Sequence, residues 1–391
     1  MLKCQSHLFE LDDGDMCYVS GCSRSPMPKC VRDVGVQMLN RKTRTPWNLG
    51  TDEIEESLRV AWKKLINAPS EDCFAFVPSC SYAMSTAANM LRRELSKGDE
   101  ILILRDQYSS NVYPWQSICT QIVVLDRGKD LMKRIEHAMT KSDSRIKIVS
   151  LPMVQWCDGQ AIDLERVGRL CRERNAFLVV DATQSLGVVP FDVQKIENLA
   201  FVAASSHKWL MGPYGVCMLY VSSRFWSHAE PIEQHEHNRL NADSHTCLPF
   251  PYEKRFQKGA RAFDSGGRPN PVLLPMALEG VNLILKWTPH RVLFTVRTLL
   301  KPLITEITAR GLSIPSKYHH FVGISRKGDV KWADGCSSYL KSNGFIVPSR
   351  FGSLRVSPHV YNTPEQIKGL TSLILRFDDD RNVEEKVDSS E

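Results

Sequence analysis

No apolar run in this chain approaches the roughly eighteen residues that a membrane-crossing helix needs, so no membrane span is expected. Its first residues lack the basic, apolar and small-residue succession of a secretory leader. The 12 cysteines show no C-x-x-C pair and no regular spacing, which gives no reason for disulfides. Free thiols in a reducing, cytoplasmic compartment are expected instead. Excess charge is also scarce, with 50 Lys and Arg against 44 Asp and Glu and a net charge of +6. The densest basic run, Arg41-Lys42-Thr43-Arg44, has no aromatic platform beside it. It reads as a solvated face, and nucleic acid is not an expected partner. Repeats and low-complexity linkers are missing too.

What is present is ordinary globular composition: 391 residues, 42% hydrophobic and 24% charged, enough for a sizeable core and more than one domain. Short runs rich in Val, Ile, Leu and Phe at 73–77, 101–104, 121–125, 146–151, 177–180, 199–204 and 216–221 read as continuously apolar strands. Such strands belong to a sheet covered on both faces. Helical patterns alternate with them at 53–67, 82–96, 130–140 and 163–174, the first capped by Thr51 or Asp52. The alternation predicts a wound α/β sheet that gathers its ligands at the strand carboxyl ends. We expect a large α/β domain over 18–264 and a smaller α+β domain over 265–376, joined by the N-terminal segment 1–17. The acidic stretch 377–391 reads as a frayed, solvated tail.

Two polar clusters fall where such a sheet builds its site. One strand ends in Asp181, followed by Ala182-Thr183-Gln184-Ser185; another ends in Ser205-Ser206-His207-Lys208-Trp209. A lysine delivered beside a carboxylate, hydroxyls and a histidine suits pyridoxal phosphate. That cofactor needs a lysine for a Schiff base, an acid at its ring nitrogen, a donor to its phenolic oxygen and a cup for a phosphate dianion. Lys208, Asp181, Gln184 and the Ser205/His207 pair supply these in turn. Ser79-Cys80-Ser81, between strand 73–77 and helix 82–96, offers further unpaired amides to an anion. His235, His237 and His245, with Glu233 and Glu236, have no recognised metal-ligand spacing; an exposed linker and no metal site are expected there.

On these residues the chain resembles the class V aminotransferase family of pyridoxal-phosphate enzymes, which includes cysteine desulfurases, selenocysteine lyases, kynureninases and isopenicillin N epimerases. The resemblance runs from about Tyr18 to about Leu375. It rests on VVDATQSLG (179–187), SSHKWLMGPYG (205–215), DQYSSNVYPW (106–115) and LRVSPHVYNTPEQI (354–367). It implies an aspartate-aminotransferase-like fold, with a mostly parallel seven-stranded sheet in the large domain. It implies Lys208 as Schiff-base lysine and acid/base, Asp181 at the pyridinium and Gln184 at the phenolic oxygen. Ser205, His207, Ser79, Cys80 and Ser81 would hold the phosphate, and Tyr108 would stack on the ring. Arg355 would clamp the substrate carboxylate, with Arg350 as a competing clamp and Arg24 on the substrate side. The Gly266–Asn270 turn matches a segment that reaches a partner subunit's cofactor in relatives, which implies a homodimer.

Departures narrow the reaction. Desulfurases carry a nucleophilic cysteine shortly before the arginine equivalent to Arg355, and the stretch from Phe345 to Leu354 has none. An aminotransferase or a carbon–sulfur lyase acting on an α-amino acid is therefore expected ahead of a desulfurase. An epimerase and a non-catalytic binding protein of the same fold are the alternatives. The usual asparagine ahead of Gly159 is also replaced, by the segment Val154–Asp158, where Trp156 can shape the pocket. Cys22 and Cys157 fall on stretches that line a pocket in relatives.

Overall fold

The computed structural model describes residues 1–11, 16–50, 52–119, 121–240, 253–267 and 270–388; Thr51, one of the two expected helix caps, lies outside them, as do residues 389–391. The chain divides into two compact units. The smaller comprises Met1–Pro26, Val154–Ala161 and Trp287–Glu391, and the larger comprises Met27–Met153 and Ile162–Lys286. Strand β1 (Cys17–Tyr18) lies in the smaller unit, and the chain enters the larger one at helix α1 (Lys29–Arg44). No helix among the described residues is long and apolar enough to cross a membrane.

The larger unit continues through α2 (Asp52–Ile66), β2 (Phe74–Val77), α3 (Cys80–Leu91), β3 (Glu100–Leu104), α4 (Tyr113–Ile118) and β4 (Ile122–Leu125). It proceeds with α5 (Leu131–Thr140), β5 (Ile146–Pro152), α6 (Leu164–Glu173), β6 (Phe177–Asp181), β7 (Leu199–Ser205) and β8 (Cys217–Val221). Its sheet has seven strands in the order β2-β8-β7-β6-β5-β3-β4. Only β8 runs antiparallel to its neighbours; every other pairing is parallel. Every residue of β6 and β7 is buried, as covering of both faces requires. At the edge, β4 is only partly covered and leaves Val124 exposed, so the apolar run there does not mean full burial. Helix α2 shows why these segments are helical. Leu58, Ala61, Trp62, Leu65 and Ile66 are buried, acidic residues occupy its first turn, and Lys63 and Lys64 sit in its last. Helix α1 is an element the sequence reading did not mark; it buries only Val31, Gly35 and Met38, and the basic run 41–44 is its last turn.

The stretch after Asp264, read from the sequence as a domain border, stays in the larger unit, and the division falls within α7 (Leu273–Trp287). The physical reason is a buried ion pair. Arg59 Nη2 donates to Asp264 Oδ2 at 2.6 Å, Asp264 Oδ1 accepts from the Phe76 amide at 2.7 Å, and the Arg59 guanidinium lies 4.2 Å from the Phe76 ring centroid. Ser265 then donates its amide to the Phe76 carbonyl at 2.9 Å, adding the turn to the edge of β2.

The smaller unit holds α8 (Pro289–Ala309), β9 (Val322–Ile324), α9 (Trp332–Ser342), β10 (Phe345–Ile346), β11 (Ser349–Arg350), β12 (Ser353–Val356) and α10 (Pro364–Asp388). Strands β11, β12 and β9 form an antiparallel sheet, and β1 pairs in parallel with β10. Residues 18–26, expected with the large domain, belong here. The Leu2 amide donates to Thr295 Oγ1 at 2.8 Å, Gln5 to the Val360 carbonyl at 2.8 Å, and Ser20 bridges Ser357. The expected tail is also corrected, because 377–388 is the last part of α10. Phe377 packs on Trp332, Asp378 accepts from the Trp332 indole at 2.9 Å, and Asp379 and Arg381 pair with Arg310 and Asp329. These local partners outweigh the composition that suggested fraying.

Removing one member of a buried pair leaves the other charge uncompensated. Arg59→Leu is expected to cost about 3–5 kcal/mol, read as an earlier urea midpoint. An unchanged midpoint would contradict the role given to this pair.

Candidate active site

The parallel register sets Asp181, the last residue of β6, opposite Ala203 of β7, so the two following turns leave the sheet side by side. They are held together by hydrogen bonds. Asp181 Oδ1 accepts from the Thr183 amide at 2.9 Å, Thr183 Oγ1 accepts from the Ser205 amide at 3.3 Å, and Gln184 Oε1 accepts from the Trp209 indole at 2.9 Å. The approach is close enough to require a glycine. Gly187 has φ of +103°, and a Cβ there would stand 2.2 Å from the Trp209 carbonyl oxygen. With Oε1 accepting from the indole, the side-chain amide of Gln184 is fixed in orientation. Trp209, a core or pocket wall on the sequence alone, and Thr183, which the sequence left without a role, are thus positioning residues.

Lys208, two residues beyond the Ser206 at the end of this strand–turn junction, is half-buried, and its ammonium lies 5.5 Å from the Tyr108 ring centroid. The Tyr108 turn is fastened by Gln107, which donates to the Asn111 and Ser150 carbonyls at 2.7 and 3.2 Å. Two buried oxygens in these turns, Gln107 Oε1 and Ser206 Oγ, have no hydrogen-bond partner among the described residues. His207 stacks on Tyr214, with ring centroids 3.9 Å apart and planes 13° apart. Burial, and next the neighbouring Lys208 charge, lower the His207 pKa to about 4, so its imidazole is neutral at pH 7.

Ser79 caps α3, its hydroxyl accepting from the Tyr82 amide at 3.2 Å and standing 2.9 Å from the Ser81 hydroxyl. Ser81 is exposed, whereas Cys80 is buried. Burial pushes the Cys80 thiol well above its ordinary range, and the Asp181 and Cys217 charges push it the same way. Cys80 is therefore a neutral thiol packed near Asp181.

In the smaller unit, Arg355 on β12 is buried. Its Nη1 donates to the Trp156 carbonyl at 2.8 Å and its Nη2 to Ser23 Oγ at 2.6 Å, while Nε is buried without a partner among the described residues. The other two arginines are arranged differently. Arg350 is exposed and donates to the adjacent Ser349 carbonyl at 2.7 Å; Arg24 is exposed, its carbonyl accepting from the Tyr18 hydroxyl at 2.6 Å. Ser23, one residue before Arg24, brings a side chain of this segment to Arg355. Buried Cys22 accepts from Ser357 Oγ at 3.1 Å, and Cys157 is buried as well.

The described part of the histidine-rich segment is less exposed than the expected linker. His235 is partly buried, with Nε2 2.9 Å from the Asp264 carbonyl oxygen, and His237 pairs with Glu236 at 3.3 Å; His245 lies outside the described residues. No group of His, Cys, Asp and Glu among the described residues could hold a metal ion.

The family model for class-V aminotransferases matches residues 36–261, and the chain belongs to that family. A probable cysteine desulfurase of Pyrococcus abyssi is 31% identical over 194 residues, 47% of this chain and 46% of that protein, so the match spans about half the relative's length. The uncharacterised aminotransferase YcbU of Bacillus subtilis is 24% identical over 359 residues, covering 90% of this chain and 91% of that protein. Among solved structures, the cysteine desulfurase CsdA of Escherichia coli superposes with a TM-score of 0.81 at 18% identity, over 96% of this chain and 97% of its own. C-DES, a cystine C–S lyase solved with glycine covalently linked to its PLP cofactor, superposes with a TM-score of 0.77 at 15% identity, over 92% and 96%. The fold expected from the sequence is the fold of these structures. The expected pyridoxal-phosphate enzyme of transferase or lyase type agrees with the family and with the names of its members.

The neutral His207 has a measurable consequence. A histidine of the unfolded chain titrates near 6.5, so between about 6.5 and about 4 the unfolded state binds the proton that the folded state refuses. Stability is therefore expected to fall as the pH drops through that window, and to be independent of this group above it. The imidazole resonance of His207 should titrate near pH 4 in an NMR series; a midpoint near 6.5 would be the contrary result.

Proposed function

We propose that this chain is a pyridoxal-phosphate enzyme that acts on an α-amino acid as an aminotransferase or a carbon–sulfur lyase. The observation that carries the reading is the joining of the β6 and β7 turns, which holds Asp181 and Gln184 against the segment bearing His207 and Lys208. The donor set fits the cofactor: an amine, a buried carboxylate, a positioned amide, and serine hydroxyls at the N-terminus of a twelve-residue helix. The oxygens of Ser206 and Gln107, unpartnered among the described residues, add polar capacity near these turns.

Bound there, pyridoxal phosphate supplies an electron sink for the pair left at the substrate α-carbon. The chain's own groups do the rest. Lys208 Nζ would hold the cofactor covalently at rest and, once the substrate amine had displaced it, would take the α-proton as a free amine. The Asp181 carboxylate keeps the proton on the ring nitrogen, and the Gln184 amide donates to the phenolic oxygen. Ser79, Ser81, Ser205, neutral His207 and the Cys80 backbone take the phosphate, and Tyr108 covers the ring. Arg355 takes the substrate carboxylate; its burial favours it over the exposed Arg350 and Arg24.

Two observations favour these outcomes over desulfuration at a protein thiol. The segment before Arg355 is a tight β11–β12 hairpin with no cysteine, and the nearest upstream one, Cys336, is buried in α9 with its thiol pushed up by burial. A reducing, cytoplasmic setting is supported by the eleven described cysteines, all of which are free. A homodimer is supported by the family resemblance.

Borohydride reduction of the purified protein should fix the cofactor mass on the peptide containing Lys208. A mass found elsewhere, or none, would sink the reading. Lys208→Ala should lower turnover by about 10²–10⁴-fold. A product screen over amino acids and S-substituted cysteines separates the reactions: pyruvate with ammonia means elimination, and pyridoxamine phosphate means half-transamination. Sedimentation velocity tests the dimer.

A further inference from the structure

The hairpin ahead of Arg355 carries an unusual residue. Ser349 pairs with Leu354 and Arg350 with Ser353, leaving Phe351 and Gly352 as a two-residue turn. Both have positive φ, +48° and +72°, as a type I′ turn requires. Asparagine followed by glycine suits that turn; a phenylalanine in the left-handed region is strained and needs another reason to be there. The residue is 60% exposed, so core packing is not the reason.

What the turn achieves is an aromatic contact. Phe351 meets Trp156 edge to face, centroids 5.6 Å apart and planes at 90°. The Trp156 ring lies 5.6 Å from the Arg355 guanidinium, which also donates to the Trp156 carbonyl. Trp156 thus lies beside a buried arginine whose Nε has no partner among the described residues, and Phe351 extends the aromatic surface from Trp156. A carboxylate on that arginine would bring the rest of its molecule against the Trp156–Phe351 pair.

We infer that Trp156 and Phe351 form a specificity wall selecting an α-amino acid with an aromatic or other large apolar side chain. This rests on the reading of Arg355 as the carboxylate clamp and goes beyond it, naming the substrate class. Small and acidic amino acids gain nothing from such a wall, whereas an aromatic ring gains both burial and ring contacts.

Calorimetric titration of the purified holoenzyme with L-phenylalanine and with L-alanine tests the inference. L-Phenylalanine is expected to bind about tenfold more tightly. In Phe351→Asn the ratio should fall to within about twofold. That variant places Asn-Gly in the turn, so its urea midpoint should stay level or rise, which separates a lost ring from a lost fold. Arg355→Gln should weaken both ligands alike. Equal affinities in the wild type, undetectable L-phenylalanine binding, or an intact preference in Phe351→Asn would overturn the wall. A preference lost in Phe351→Asn with both affinities unmoved in Arg355→Gln would instead overturn the clamp reading.

Discussion

The contact between Gly187 and the Trp209 carbonyl is the constraint on which the rest of the candidate site depends. Parallel pairing brings the ends of β6 and β7 together, but the turns beyond them are free to diverge unless something binds them. Here the backbone at 187 approaches 209 so closely that no side chain fits between them. Thr183 and Gln184 then reach Ser205 and Trp209 by hydrogen bonds. A carboxylate on one turn and a lysine on the other are thereby held by fixed backbone rather than by flexible side chains. Such preorganisation is what a cofactor with several polar handles requires.

Burial sets the protonation states around this scaffold. His207 is neutral because its ring is covered and stands beside a lysine, and Cys80 stays a thiol because it is covered beside a carboxylate. Neither effect follows from residue type. A histidine next to a phosphate site suggests a cation, and a cysteine in an enzyme suggests a nucleophile. Desolvation reverses both suggestions. The same reasoning separates the arginines of the smaller unit. Arg355 is buried with one nitrogen unpaired among the described residues, whereas Arg350 is solvated and donates to a neighbouring carbonyl.

Much of the fold was legible because its strands are continuous apolar runs between turn residues, and in β6 and β7 every residue is indeed buried. Reading failed where local composition and tertiary contact disagree. The stretch after Asp264 looks like a linker, yet Arg59, over two hundred positions earlier, holds it to β2. The acidic end looks unfolded, yet Trp332, Arg310 and Asp329 give its first turns partners. Helix α1 buries so few apolar side chains that its periodicity is faint in the sequence.

Residue order alone carries most of the strands and helices of the larger unit, the polar groups at the strand ends and the missing cysteine before Arg355. These are properties of residue order, and hydrophobic period and turn chemistry express them locally. Only the tertiary structure decided that Ser23 rather than Arg24 touches Arg355, that Trp209 orients Gln184, and that Phe351 and Trp156 stand together. Each is a contact between segments distant in the chain. The physical reason is that such contacts depend on backbone paths and side-chain directions that no local pattern encodes.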